Sequence, residues 1–188
     1  MTLFEKAIMF AVNAHSGMHR KKELVPYIVH PLEVATIASS MTSDEKVLSA
    51  AVLHDTVEDT PVTMEEIREQ FGERVAELVG SETENKRKSL PPEETWRIRK
   101  AESLEWLGKT KDIDVKRIWL SDKLSNMRSY YRMKATSGNS FWDFFNQKDP
   151  AQQEWYYRSV AELTSELNDT AAWKEYTLLM DIVFEGAR

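Results

Sequence analysis

Residues 45–59 read EKVLSAAVLHDTVED, and this stretch decides the fold. Val47, Leu48, Ala50, Ala51, Val52 and Leu53 cover almost the whole circumference of a helix, the pattern of an element surrounded by neighbours on every side. Ser43 or Asp44 supplies its N-cap. Such a central helix needs partners, and the flanking sequence offers them with the same periodicity. Thr2 and Glu5 form a capping box ahead of Phe4, Ala7, Ile8, Ala11 and Val12, with Gly17 as the stop. Pro31 suits the first turn of PLEVATIASS, where its missing N–H costs nothing. Thr63 and Glu66 cap MEEIREQF up to Gly72, and a further apolar face of Val75, Leu78 and Val79 follows.

Beyond these, SETENKRKSLPP at residues 81–92 is a polar loop closed by two prolines. Three more periodic segments follow it. ETWRIRKAESLEWLG ends near Gly108, VKRIWLSDKLSNMRSYYRMK is capped by Asp114, and a helix opening at Asp149–Pro150 runs through Leu167. Asp169 or Thr170 caps a last helix. Gly138 to Asp149 reads as a second loop carrying Phe141, Trp142, Phe144 and Phe145, a cluster that fits a core or a contact surface equally. Strand-like alternation is scarce, and there is no internal repeat. The expectation is an all-α helical bundle of about eight helices forming one domain over residues 1–188.

Composition narrows the function. The 188 residues carry 25 Lys+Arg against 31 Asp+Glu, a formal charge of −6, and no cysteine. Disulfides and thiolate zinc sites are excluded. The acidic balance argues against non-specific nucleic-acid binding, which depends on a basic surface. No apolar run approaches the roughly 20 residues of a spanning helix, and Glu5 and Lys6 interrupt the short apolar start. The expected compartment is the cytoplasm, with no membrane contact and a small-molecule partner; a homo-oligomer is compatible with this sequence.

Chemistry concentrates where the central helix ends. His54 and Asp55 follow its apolar body, and Glu58 and Asp59 come one helical turn later, so His54/Glu58 and Asp55/Asp59 stack at i,i+4. Three carboxylates this close raise one another's pKa unless a cation sits among them. His30 in PYIVHP and Asp122 in WLSDKLSNMRS also follow apolar runs. Two His and two Asp offer nitrogen and hard oxygen donors suited to Mn²⁺, Fe²⁺, Zn²⁺ or Mg²⁺. A plain reading is open beside this one: His30 satisfies a loop, His54 and Asp55 pair locally, and Asp122 is a solvated helix residue.

Three ordered motifs carry a resemblance. HSGMHRKKELVPYIVHPLEVA, AAVLHDTVEDTPVTMEEIREQFGERVAELV and IWLSDKLSNMR together resemble the HD-domain guanosine-3′,5′-bis(diphosphate) 3′-pyrophosphohydrolases, both the hydrolase half of RelA/SpoT proteins and the free-standing small alarmone hydrolases. The likeness covers most of residues 4 to 132 and includes the extended HDxxED pattern. It implies one divalent metal, Mn²⁺ in such enzymes, held by His30, His54, Asp55 and Asp122. It also implies that Glu58 and Asp59 orient and deprotonate a water that releases pyrophosphate from the ribose 3′ position, leaving GDP or GTP. Arg20 and Lys21 match the RK pair that handles the nucleotide, Asn126 matches a contact to its sugar or base, and Tyr156 matches a tyrosine offered to the sugar. Adenosine alarmones stand beside guanosine ones as candidate substrates. The alternatives are an HD phosphohydrolase of nucleoside monophosphates and an inactive nucleotide-sensing HD domain.

The remaining polar residues read more plainly. Tyr27 is assigned to packing, with lining of the pocket as the alternative, His15 to a supporting role, and Lys123 and Arg128 to solvent or ion pairs. The Lys86–Lys88 and Arg97–Lys100 clusters read as solvated faces. Two positions depart from the family pattern: Lys22 stands where a glycine is usual, and Ser121 replaces the usual alanine before Asp122. The residues after the matching stretch are too few for a nucleotidyltransferase domain, so no bifunctional enzyme is expected.

Overall fold

The computed structural model describes residues 1–20, 25–84, 87 and 89–186. These hold ten α-helices and two short 3₁₀ segments. The helices are α1 (Leu3–Ala14), α2 (Val29–Ser39), α3 (Glu45–Leu53), α4 (Thr56–Asp59), α5 (Met64–Phe71), α6 (Glu73–Gly80), α7 (Pro92–Lys109), α8 (Ile113–Ser137), α9 (Pro150–Leu163) and α10 (Ala171–Phe184). Extended structure among the described residues is confined to one bridge between His19 and Pro26. The all-α expectation holds, with two more helices than the sequence suggests. The run 45–59 breaks at His54–Asp55 into α3 and α4, and the apolar face after Gly72 forms α6 in its own right.

The chain forms two compact units: residues 1–83 with 113–122, and residues 84–112 with 123–188. Helix α8 contributes to both. In the first unit α3 packs against α1, α2 and α6. Val47, Ala50, Ala51, Val52 and Leu53 are fully buried there, as an all-round apolar helix must be. Both capping boxes form: Thr2 Oγ1 accepts from Glu5 N and Thr63 Oγ1 from Glu66 N, each at 3.2 Å. Gly72 adopts φ 87°, a left-handed value that lets α5 end and α6 begin without an intervening loop.

The second unit is built on α7 and α9, α9 and α10, and the remainder of α8. Asp149 Oδ1 accepts from Ala151 N at 2.9 Å and Thr170 Oγ1 from Trp173 N at 3.2 Å, so the caps of α9 and α10 are those the sequence indicates. Helix α9 stops at Leu163, and residues 165–167 continue as a 3₁₀ turn. In the aromatic segment after α8, Phe141 and Trp142 are core, with Trp142 stacked on Phe184 at 5.4 Å, while Phe144 is exposed. Tyr130 meets Phe141, Trp142, Phe145 and Tyr157 within the same cluster.

Of the basic clusters read as solvated faces, Lys86 and Lys88 lie outside the described residues, Arg97 is exposed, and Arg99 and Lys100 are drawn into an ionic cluster. Glu84 Oε2 accepts from Arg99 Nη1 and Glu84 Oε1 from Lys100 Nζ, both at 2.6 Å, and Ser103 Oγ adds a bond at 3.2 Å. Lys100 and Lys123 lie over the ring of buried Tyr156, at 4.7 and 5.9 Å from its centroid. Arg97 stacks 3.2 Å from the Trp155 ring centroid, and Arg128 binds both oxygens of Glu175. Burial penalises the Glu84 carboxylate, yet Lys100, Lys123 and Arg99 outweigh it and hold its pKa below the ordinary 4.5. None of the described helices is long and apolar enough to cross a membrane.

Candidate metal centre

Three elements of the first unit bring four side chains to one point. His30 sits in the first turn of α2, its backbone N–H bonded to Tyr27 O at 3.0 Å. His54 ends α3 with helical dihedrals, and Asp55 follows at φ −92°, ψ −5°, so the chain keeps a helical path into α4 and Asp59 N bonds back to Asp55 O at 2.9 Å. Asp122 comes from α8 and is buried. Asp122 Oδ1 lies 3.1 Å from His30 Nε2 and 3.8 Å from His54 Nε2. Asp55 Oδ2 lies 3.1 Å from His54 Nε2 and 3.6 Å from His30 Nε2. The plain reading of these residues as separate local pairs does not describe this geometry.

The tautomer of His54 follows from its partner. Its Nδ1 is 2.9 Å from Ala51 O, and a carbonyl only accepts, so Nδ1 carries a proton and Nε2 is the nitrogen turned toward Asp55 and Asp122. His54 is 1% exposed and its Nε2 makes no hydrogen bond. Facing two carboxylates, this buried nitrogen must either take up a proton itself or share the site with a cation. Ligand atoms of His30, His54 and Asp122 fall within 4.8 Å of one another, and Asp55 completes a set of two nitrogens and two oxygens without sulfur. These donors fit a divalent cation of the hard or borderline class.

The field at the centre favours positive charge. Burial depresses the His54 pKa, but Asp55, Asp122 and Glu82 outweigh it and lift the group to about 10. His30 goes the other way: burial is the largest influence and lowers it, Asp122 opposes, and the charges of Arg20 and His54 lower it further. Burial alone would raise Asp55, and the imidazoles hold it below the usual carboxylate range.

Around the four lies a second set of polar contacts. Asp55 Oδ2 accepts from Tyr27 Oη at 2.6 Å, and the same hydroxyl lies 2.8 Å from Asp59 Oδ2. Burial first, then these two carboxylates, push the phenol far above its ordinary value, which keeps it a donor. Tyr27 is the residue that sequence reasoning placed in packing. The signal that could have found it is its position three residues before His30 at the start of a helix. Glu58 is half-buried on α4. Arg20 is half-buried, and its backbone N–H bonds Val25 O at 3.1 Å beside the His19–Pro26 bridge. Lys21 and Lys22 lie outside the described residues. Asn126 and Tyr156 stand in the second unit, half-buried on α8 and buried on α9 respectively. Ser121 is accommodated by bonding its hydroxyl to Arg117 O at 2.7 Å, one turn back.

Known proteins share this arrangement of sequence. The family model described as HD domain matches residues 7–140. The chain is 39% identical over 127 residues to the guanosine-3′,5′-bis(diphosphate) 3′-pyrophosphohydrolase of Aquifex aeolicus, covering 68% of this chain and 18% of that protein. It is 36% identical over 127 residues to the GTP pyrophosphokinase rsh of Brucella ovis, covering 68% and 17%. The chain thus spans less than a fifth of the length of these curated relatives. Among solved structures it resembles a metazoan ortholog of SpoT that hydrolyses ppGpp, with a TM-score of 0.75 and 29% identity over 100% of this chain and 98% of the other. A structure from Listeria monocytogenes gives a TM-score of 0.72 at 33% identity, covering 83% of this chain and 99% of that one. With well over half of its length matched by one family model, the chain belongs to the HD-domain family.

Proposed function

We propose that this chain is a metal-dependent hydrolase that removes pyrophosphate from the ribose 3′ position of guanosine-3′,5′-bis(diphosphate) alarmones, leaving GDP or GTP. The observation that carries this reading is the convergence of His30, His54, Asp55 and Asp122, with Glu58 and Asp59 one turn further along the chain. The full-length likeness to a ppGpp-hydrolysing protein supports the substrate class. The four side chains would hold one divalent cation; the donor set suits Mn²⁺, Fe²⁺, Zn²⁺ or Mg²⁺ alike, and the likeness to the alarmone hydrolases makes Mn²⁺ our assignment. When bound, such a cation supplies Lewis acidity toward a phosphoryl oxygen and toward the attacking water.

The protein's own groups supply the rest. Glu58 takes the proton of the water and Asp59, whose Oδ2 lies 2.8 Å from the Tyr27 hydroxyl, orients it. Arg20 offers a planar cation to the nucleotide, and Lys21, Asn126 and Tyr156 are the further substrate contacts in this reading. Phosphoryl chemistry is catalysed mainly by positioning and charge neutralisation, which matches a site made of fixed ionic groups. We assign the enzyme to the cytoplasm.

The test is to incubate metal-stripped protein with Mn²⁺ and the guanosine alarmone, with the adenosine alarmone and nucleoside monophosphates alongside, and to resolve the products. Pyrophosphate with GDP or GTP, dependent on added metal, is the expected result. Orthophosphate and nucleoside from a monophosphate, with the alarmones untouched, would transfer the protein to general HD phosphohydrolases. Silence on all substrates would leave a nucleotide-sensing role.

A further inference from the structure

One hydroxyl touches two carboxylates that belong to different tasks. Tyr27 Oη is 2.6 Å from Asp55 Oδ2 and 2.8 Å from Asp59 Oδ2. Asp55 Oδ2 is also the oxygen that faces the imidazoles, at 3.1 Å from His54 Nε2 and 3.6 Å from His30 Nε2. Asp55 follows the break between α3 and α4 and makes no capping bond, so neither helix fixes its side-chain rotamer. A phenol has one hydrogen and two lone pairs, so it satisfies one anion at a time. Its hydrogen goes to the shorter contact, Asp55, and holds that carboxylate in place only while the phenol ring is itself held.

The structure immobilises it. The ring lies against His15, centroids 4.8 Å apart at 34°, and edge-on to His30 at 6.1 Å and 79°. Its backbone is tied on both sides: Tyr27 N donates to Met18 O at 2.9 Å, and Tyr27 O accepts from His30 N at 3.0 Å. His15 is buried and neither of its ring nitrogens makes a hydrogen bond, so its contribution there is the flat face it offers the phenol.

We propose that Tyr27 is a positioning residue whose hydroxyl fixes Asp55 so that Oδ2 faces His30 and His54, and sets the spacing of Asp55 from Asp59. This rests on reading His30, His54, Asp55 and Asp122 as the metal-holding set. Outer partners of metal ligands of this kind alter affinity by about 10–100-fold when removed. Tyr27 thus links the group that holds the cation to the group that orients the water.

The test is Mn²⁺ binding by full-length, metal-stripped protein, read as free Mn²⁺ by electron paramagnetic resonance with no nucleotide present. Tyr27→Phe keeps the ring and deletes the hydroxyl. Its Mn²⁺ affinity should fall about tenfold or more, while the metal-free Tm stays within about 2 °C of the parent. With saturating Mn²⁺, kcat toward the alarmone should fall and KM should not. His15→Phe keeps a flat ring against the phenol and leaves the hydroxyl, and should retain the parent's Mn²⁺ affinity. Parent-like affinity in Tyr27→Phe would overturn the proposal, as would equal losses in both variants. Because binding is read without substrate, failure of the alarmone assignment leaves this result standing, whereas absence of Mn²⁺ binding by the parent would overturn the metal reading and this inference together.

Discussion

The two units bury ionic clusters that are built on opposite principles. In the first, His30, His54, Asp55 and Asp122 point donor atoms at a common centre, and His54 Nε2 finds no hydrogen-bond partner. In the second, Glu84 is enclosed by Arg99, Lys100 and Ser103, so the carboxylate has cations and a hydroxyl of the same chain around it. Both arrangements satisfy the rule that buried charge must be paired. They differ in where the compensating charge comes from. A self-paired cluster contributes to one folded geometry, while a cluster of convergent donors remains available to something from outside.

The sharpest separation comes from removing one carboxylate from each. Asp55→Ala should abolish Mn²⁺ binding and bring alarmone hydrolysis to background, and metal depletion of the parent should lower its Tm, since ligands from three segments are tied together by the bound cation. Calorimetry with and without chelator checks both. A Tm for Asp55→Ala that still responds to Mn²⁺ would place the cation elsewhere. Glu58→Gln should keep the metal-induced rise in Tm and lose about 10²–10⁴-fold in kcat, the range for a lost general base. Near-parental turnover would remove Glu58 from that role.

Glu84→Gln tests the other cluster and should do the reverse. Breaking a buried ion pair by deleting one charge costs about 3 kcal/mol, so the variant should melt well below the parent yet take up Mn²⁺ unchanged. Its acid response is also defined. Because the folded pKa of Glu84 is held below 4.5, its stabilising contribution is present above that value and is lost as pH falls from about 4.5 through the folded pKa. The parent's Tm should therefore fall more steeply than the variant's in that window. Parallel curves would mean that Glu84 does not titrate differently in the folded state.

The same contrast explains what the sequence discloses. The helix periods, the caps at Thr2, Asp44, Thr63, Asp149 and Thr170, and the burial of α3 follow from local rules of spacing and end chemistry. His54 and Asp55 are legible because they interrupt an apolar run, where an ionic group needs a reason. Glu84 and Lys100 are not, because each sits in a charged stretch that any solvated loop or helix face would show, and Glu84 meets its partners Arg99, Lys100 and Ser103 only through the fold, 15 to 19 residues along the chain. Tyr27 is assigned to packing for a similar cause: an aromatic in an apolar context looks like packing until its hydroxyl's partners are known, and those lie 28 and 32 residues away. The division of residues 45–59 was unreadable because Asp55 keeps helical dihedrals and periodicity passes through it unchanged.

A third ionic group calibrates the comparison from its weak end. Arg68 binds Glu65 and Glu73, each at 2.7 Å, so by distance it rivals Glu84 with its two cations at 2.6 Å. The difference is solvent: the Arg68 side chain is 40% exposed and its two partners more than 60%, against 10% for Glu84. In water the charges gain little from meeting, and the entropy of holding long side chains together offsets what remains. Arg68→Gln should therefore leave the Tm, the acid response and Mn²⁺ uptake at parental values. If it destabilised the protein as much as Glu84→Gln, proximity alone would govern these clusters, and the distinction between a closed buried pair and an open buried donor set would lose its physical basis.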